Sequence, residues 1–203
     1  MIWLKRQLGC RYRSMRILFE YLRLHIVKHF KARELKCVQN HLEKINTGDI
    51  LLFATMKNET VRLPYFLAYY RQLGVNHFVF VDNGSDDGMA EALNAHEDVT
   101  IFYTEGSYKA AAFGMHWLNW LLRRIGTGHW CLVCDPDEFL VYPYMEHRTL
   151  PELTQYLESV DQSSLCTLLV DMYADRPLEK VVYSQGGDPL KLCPYYDGYG
   201  YRV

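Results

Sequence analysis

From residue 49 onward the chain alternates short apolar runs with segments of helical periodicity, and few folds accept that pattern. Ile50-Leu51-Leu52-Phe53-Ala54-Thr55-Met56 is almost wholly apolar, as a strand covered on both faces must be. Residues 64–73 read as a helix, with Pro64 near its start and Gly74 just past its end. A second strand is expected over 77–82, a short helix near 89–95, and a third strand over 99–103. A helix around 109–125 delivers a fourth strand, His129-Trp130-Cys131-Leu132-Val133-Cys134. Thr149-Leu150-Pro151-Glu152 has the spacing of a capping box that opens a helix to about Val160, and residues 165–172 suit a further strand. Strands that alternate with helices imply parallel βαβ units. The predicted fold class is therefore α/β: a Rossmann-like, mostly parallel sheet with helices on both faces. Ligands of such sheets bind beyond the carboxyl ends of the strands.

Ahead of this body lies a segment of different charge. Eleven of the 22 Lys and Arg residues fall in residues 1–44, against three acids; the remainder carries eleven basic groups against 21 acidic ones. Met15, Leu18, Phe19, Leu22, Ile26 and Phe30 recur at spacings of three and four, which predicts a helix over 14–45 with one apolar stripe. Residues 1–46 are thus expected to form a basic amphipathic arm, and residues 47–203 the α/β domain. Such an arm suits an anionic membrane surface or a partner protein, and equally suits packing on its own domain. Nucleic acid is not an expected partner, since no basic-aromatic pattern continues into the acidic body. No apolar stretch reaches the ~20 residues that span a bilayer. The six cysteines are scattered, which fits a reducing cytosol, with peripheral association at the inner membrane face through residues 1–45. The aromatic ending, Tyr195-Tyr196-Asp197-Gly198-Tyr199-Gly200-Tyr201-Arg202-Val203, reads as the approach to another element, so a C-terminally truncated domain is expected.

Chemistry is concentrated at Asp135-Pro136-Asp137. If the preceding run is a strand, residues two apart share a side, so both acids are expected to point the same way where the strand stops. Pro136 supplies no ladder donor and stiffens the pair. Two like charges so placed repel unless a cation lies between them. Mg²⁺ or Mn²⁺ prefers such oxygen ligands and commonly holds substrate phosphates too.

Asp82-Asn83-Gly84-Ser85-Asp86-Asp87-Gly88 follows the second strand. It is not an EF-hand loop, which needs Gly where Asp87 stands and Glu where Leu93 stands. Ser85 or Asp86 is expected to cap the following helix. Asp82 closes an apolar strand at the ligand end, where it can accept hydrogen bonds from a ribose or a base N–H. Cys131-x-x-Cys134 on a strand puts its thiols on opposite faces, so a shared metal is excluded. His77, His116 and His129 stand at unrelated spacings, and Trp117 and Trp120 suit packing on the sheet. Neither a Gly-x-Ser-x-Gly elbow nor a phosphate loop is present.

Thr55-Met56-Lys57-Asn58-Glu59, Leu73-Gly74-Val75, His77-Phe78, Asp82-Asn83-Gly84-Ser85 and Asp135-Pro136-Asp137-Glu138-Phe139-Leu140 stand in the order seen in family 2-like glycosyltransferases. Over residues 50–142 the chain resembles those enzymes, which have the A-type nucleotide-diphospho-sugar transferase fold and an Asp-x-Asp motif. The resemblance implies that Thr55 lines the nucleotide pocket and that Asp82 binds the nucleoside. It places Asp135 against the ribose or sugar and the cation, and makes Asp137 a ligand of the metal bridging the diphosphate. Glu138 would support the metal or accept outer hydrogen bonds. Lys109, near a helix start, is a candidate to add positive charge at the phosphates, with the helix-start amides beside it. Asp171 is the first positional candidate for the general base and Asp175 the second.

The resulting expectation is a metal-dependent glycosyltransferase that moves a sugar from a nucleotide-sugar donor, a UDP-sugar, to a glycan or lipid-linked acceptor, as in polysaccharide biosynthesis. Two alternatives remain: a non-catalytic binding or scaffold protein with the same fold, and a nucleotidyltransferase.

Overall fold

A computed structural model of the chain describes residues 26–27 and 29–199. Five strands form one sheet: β1 (Lys36–Gln39), β2 (Ile50–Met56), β3 (His77–Asp82), β4 (Val99–Tyr103) and β5 (Trp130–Val133). Their order is β1-β4-β3-β2-β5. β2, β3, β4 and β5 run parallel, and β1 pairs antiparallel with β4. The chain steps outward from β2 through β3 to β4, then crosses back to lay β5 on the other side of β2. The strand order therefore reverses between β2 and β5, which is where ligand crevices form in sheets of this kind.

Side-chain alternation divides the core in two. Leu52, Ala54, Met56, Phe78, Phe80 and Ile101 face helices α1 (Leu63–Leu73), α2 (Met89–Leu93) and α4 (Leu150–Ser159). Leu51, Phe53, Val79, Val81 and Phe102 face α3 (Met115–Arg124), which contributes Trp117, Leu118 and Leu121. Every residue of β2 and β3 is buried, as the continuous apolar runs require. Helix α1 starts with Pro64 and ends on Gly74 at φ 106°, a left-handed residue that costs glycine little. Its Leu63, Phe66, Leu67, Tyr70 and Leu73 are buried, at ~1.5–3 kcal/mol per fully buried apolar side chain. The expected cap of α4 is present: Thr149 N–H donates to Glu152 Oε2 at 2.8 Å. A short helix, α5 (Pro189–Leu192), begins on Asp188, which accepts from Leu190 N–H at 3.0 Å.

Three expectations are corrected. The helix predicted over 14–45 does not run through its C-terminal part. Residues 29–32 are helical, 36–39 are β1, and Leu42–Lys44 is a 3-10 turn, while 14–25 lies outside the described residues. The apolar stripe ends at Phe30, and beyond it β1 is an edge strand with three of its four residues exposed, so no strand pattern marks where the helix stops. The α/β body thus begins upstream of residue 47. Residues 165–172 form no strand: Leu165, Leu168, Leu169 and Met172 are exposed on irregular backbone. The helix expected around 109–125 begins only at Met115, as α3, because Ala112, Phe113 and Gly114 adopt positive φ values of 51°, 55° and 79°. Among the described residues no helix is long and apolar enough to cross a membrane.

Candidate functional site at the strand-order reversal

Strand β5 stops at Val133, before the acids, with Cys134 N–H still donating to Phe53 O at 3.3 Å. Asp135 to Glu138 then form a tight turn in which Glu138 N–H donates to Asp135 O at 3.0 Å. Glu138 Oε2 accepts from Asp135 N–H at 2.9 Å, so the turn is closed from both sides. Turn geometry, rather than strand alternation, brings Asp135 and Asp137 together; Pro136 suits the second position of such a turn. The α1 tyrosines hold this turn against the core. Tyr70 Oη donates to Glu138 O at 3.0 Å and accepts from Leu140 N–H at 3.1 Å, and Tyr69 Oη donates to Leu140 O at 2.7 Å. Phe139 fills the gap between them, with ring centroids 5.2 Å from Tyr69 and 6.4 Å from Tyr70. Burial pushes the Tyr69 hydroxyl up to about 12, so it serves as a neutral donor.

Electrostatics gathers further groups at the turn. The Asp135 carboxyl is raised above the usual carboxylate range, first by burial and then by Glu138, Asp137 and Glu59. Four carboxylates therefore share one neighbourhood, and each addition of negative charge makes the next costlier. Arg62, just before α1, binds Glu59 with Nη1 to Oε2 at 2.6 Å. That hydrogen bond raises the guanidinium, which burial opposes and the nearby Asp137 carboxylate supports. Tyr183 lies under the same guanidinium at 5.9 Å. Glu59 belonged to the motif run read from sequence, but Arg62 was missed. Its signal was the three-residue spacing from Glu59, immediately before a proline-started helix.

Thr55 lies beside β5's neighbour edge at the end of β2. It is buried, at 6% exposure, and its Oγ1 has no hydrogen-bond partner. Gly114 leans on it: a Cβ there would meet Thr55 Oγ1 at 2.6 Å. Asp82 is buried at the end of β3 and accepts from Ser85 N–H at 2.9 Å. Its own loop thus occupies one carboxylate oxygen. The expected cap of α2 from Ser85 or Asp86 is corrected: the N-cap position is Gly88, which has no side chain to cap with, and Asp87 Oδ1, one residue earlier, accepts from Met89 N–H at 3.1 Å. Asn58 and Thr60 lace the loop after β2 to that after β3, through Asp86 N–H to Asn58 Oδ1 and Thr60 N–H to Asp87 Oδ2, both 2.9 Å.

Lys109 is exposed in the turn before α3, next to Tyr108, whose hydroxyl is raised by burial and then by the Asp135 carboxylate. The help expected from helix-start amides is corrected. Met115, His116 and Trp117 N–H groups already donate to Ala112 O, Ala111 O and Gly114 O. Asp171 is exposed on irregular backbone and its side chain makes no hydrogen bond or ion pair among the described residues. Asp175 ion-pairs with Arg176 at 3.4 Å. Nothing links either acid to the turn, so the structure does not bring the expected general base to the site. An open hollow of about 220 Å³ lies on the β1–β4 side of the same sheet end, lined by Glu34, Lys36, Tyr103, Thr104, Glu105 and Gly106. None of the residues singled out from sequence lines it.

The two thiols of the Cys131–Cys134 pair fall in opposite halves of the core, as a strand demands, and burial raises them to about 11 and about 12. His77 is a core residue with Nε2 2.9 Å from Thr100 Oγ1. Among the described residues no three His, Cys, Asp or Glu side chains are disposed to hold a metal ion by themselves. Two carboxylates completed by phosphate oxygens and water remain a suitable donor set for a hard divalent cation. The gathering of the Asp137, Glu138 and Glu59 carboxylates around Asp135 fits one. No protein-family model matches the chain, and no curated protein matches it in sequence.

Proposed function

We propose that this chain is a metal-dependent glycosyltransferase domain of the A-type nucleotide-diphospho-sugar fold, moving a sugar from a UDP-linked donor to a glycan or lipid-linked acceptor. The observation that carries the reading is the closed Asp135–Glu138 turn at the point where strand order reverses, which sets the Asp135 carboxyl among those of Asp137, Glu138 and Glu59. A site this negative repels a bare diphosphate. It accepts one only together with a cation, and Asp135 and Asp137 would hold Mn²⁺ or Mg²⁺ there. The cation supplies Lewis-acid neutralisation of the leaving diphosphate, worth several kcal/mol in sites of this type. The protein's own part is positional. The Asp135–Glu138 turn fixes the acids, Tyr69 and Tyr70 fix the turn, and Arg62 keeps a guanidinium beside Asp137 and Glu59. Thr55 offers an unpaired hydroxyl to a nucleotide at the end of β2, and Asp82 organises the neighbouring loop against the nucleoside.

A non-catalytic nucleotide-sugar-binding protein is the second reading, favoured by one observation: Asp171 and Asp175 both stand apart from the acids. Donor hydrolysis separates the two readings. The glycosyltransferase releases UDP slowly from its UDP-sugar in Mn²⁺, whereas the binding protein retains the sugar conjugate intact.

The direct test is thermal melting with UDP, GDP, ADP and their sugar conjugates, with and without Mn²⁺. Ligands that bind the folded state raise Tm by mass action. Stabilisation that requires both nucleoside diphosphate and Mn²⁺, and is lost in Asp137→Ala, is the expected result. Equal metal-dependent stabilisation of that variant removes Asp137 from the site, and no stabilisation by any nucleotide removes the reading.

A further inference from the structure

We propose that Ile26, Phe30 and Arg33 form a docking surface for an anionic lipid bilayer. The surface is separate from the acids after β5 and needs none of the donor chemistry above. Residues 26–27 and 29–32 are helical, so Ile26 and Phe30, four apart, lie on one face. They are 56% and 61% exposed, whereas Ala32 is buried. The helix is thus packed along its Ala32 side and turns the end of the apolar stripe outward. Packing on its own domain was one of three uses open to that stripe, and its described part does not take it.

Contacts just beyond the helix fix where this surface sits. Trp117 Nε1 of α3 donates to Glu34 Oε2 at 3.2 Å, and Leu35 packs on the same cluster as Trp117. β1 then pairs Lys36 with Tyr103, the last residue of β4. The helix is thereby tied to the carboxyl end of the sheet, the end at which β3 closes on Asp82 and β5 leads into Asp135. A bilayer that accepts Ile26 and Phe30 meets the domain at this ligand end. That placement suits a lipid-linked acceptor over a free glycan, a last step that alone rests on the transferase reading above.

Charge and side-chain arrangement select the partner. Arg33 stands over the Phe30 ring, its guanidinium carbon 5.2 Å from the centroid. An aromatic ring at the acyl boundary with a guanidinium above it matches the order of a leaflet, hydrocarbon inside and phosphate outside. Residues 1–44 carry eleven basic groups against three acids, and the rest eleven against 21. An anionic surface therefore attracts this end of the chain and repels the body. Nucleic acid would reward the charge but leave Ile26 and Phe30 in water. The stripe also continues upstream in sequence as Met15, Leu18, Phe19 and Leu22. Large apolar residues of mixed shape on a basic background suit a fluid boundary, which needs no shape matching, better than a protein groove.

The test is co-sedimentation of the full chain with vesicles of phosphatidylcholine alone and of an equimolar mixture with phosphatidylglycerol, at low and high salt. The variants are Ile26→Gln combined with Phe30→Gln, and Arg33→Gln. All three side chains are exposed, so the fold and its Tm are retained. Wild type is expected to bind the mixed vesicles, to bind them less at high salt, and to leave phosphatidylcholine alone. Loss of the two apolar anchors weakens partitioning roughly ten-fold or more, and loss of Arg33 roughly five-fold. Three results overturn the surface: no sedimentation of wild type with mixed vesicles, equal binding to both vesicle types, or a double variant that partitions as wild type does. Wild type that ignores both vesicles yet binds poly-glutamate overturns the lipid and assigns the surface to an acidic protein. Failure here leaves the nucleotide reading standing, since vesicle binding is measured without nucleotide or Mn²⁺.

Discussion

Thr55→Val is expected to stabilise the fold and weaken the ligand. At the strand-order reversal, the buried Thr55 Oγ1 has no hydrogen-bond partner among the described residues. A hydroxyl desolvated without a hydrogen bond costs roughly 1–3 kcal/mol, and folding of the free protein bears that cost. Valine replaces Oγ1 with a methyl of nearly the same shape, so the apolar contacts around β2 are kept. A small allowance is needed for crowding, because Gly114 lies directly against this side chain. The net gain is about 1 kcal/mol, which for a domain of 150–250 residues is a rise in Tm of about 2–4 °C. Binding changes in the opposite direction. If the hydroxyl is left unpaired because a nucleotide pairs it, valine forfeits a hydrogen bond of net ~0.5–1.5 kcal/mol, a two- to ten-fold loss in Kd. Thr55→Ser separates the two effects: it keeps the hydroxyl and drops a buried methyl, so it melts lower by ~0.8 kcal/mol of stability and binds as wild type. Differential scanning calorimetry of the three proteins, each with and without UDP and Mn²⁺, reads both quantities. A Thr55→Val protein that melts lower than wild type refutes the unpaired hydroxyl. One that melts higher yet binds UDP unchanged refutes the place of Thr55 in the pocket.

Two other expectations follow from the same geometry. Gly114→Ala combines a left-handed φ with a Cβ 2.6 Å from Thr55 Oγ1, so it should cost about 2–5 kcal/mol, with chemical denaturation as the readout. Adding Thr55→Ala removes the nearest overlap and should restore part of that loss; strict additivity of the two changes would show that the residues do not touch. The raised Asp135 carboxyl predicts a pH dependence. A carboxyl raised in the folded state lowers stability above its folded pKa, and that cost disappears as pH falls toward the ordinary carboxylate value. A cation bound there competes with the same proton. The Mn²⁺-dependent rise in Tm should therefore be full near neutral pH and shrink on acidification toward the ordinary carboxylate value. A rise that stays constant across that range would separate the metal from Asp135.

The parallel sheet was legible because its strands are covered on both faces. Burial on two sides forces the unbroken apolar runs at residues 50–56 and 77–82, and no turn or edge requirement competes with that pattern. Edge elements lacked such a constraint. β1 pairs on one side only and exposes Lys36, Cys37 and Val38, so it shows no apolar alternation, and the helix read from the stripe ending at Phe30 was extended across it. The opposite failure occurred at residues 165–172. There the residue types suit a strand, but strand formation also needs an edge to pair with, and no residue type records whether one is free.

The site divides along the same line. Acids at the end of an apolar run mark the carboxyl edge of a sheet, and Asp82, Asp135 and Asp137 do stand there, at or just beyond the ends of β3 and β5. What unites Asp135 with Asp137 was not the strand period but a four-residue turn. Its closing bond comes from Glu138, which the resemblance offered either as a support for the metal or as an acceptor of outer hydrogen bonds. This substitution of one local geometry for another has a chemical consequence. Strand alternation would aim two acids in one direction and leave Glu138 opposed to them. The turn instead adds Glu138 to the charge on Asp135, and Glu59 arrives from the loop after β2 to increase it further. The carboxylate density that argues for a cation is thus greater than the Asp-Pro-Asp motif alone specifies. Arg62 is the fold's own partial answer to that density, since its guanidinium stands beside both Glu59 and Asp137 when no other cation is bound.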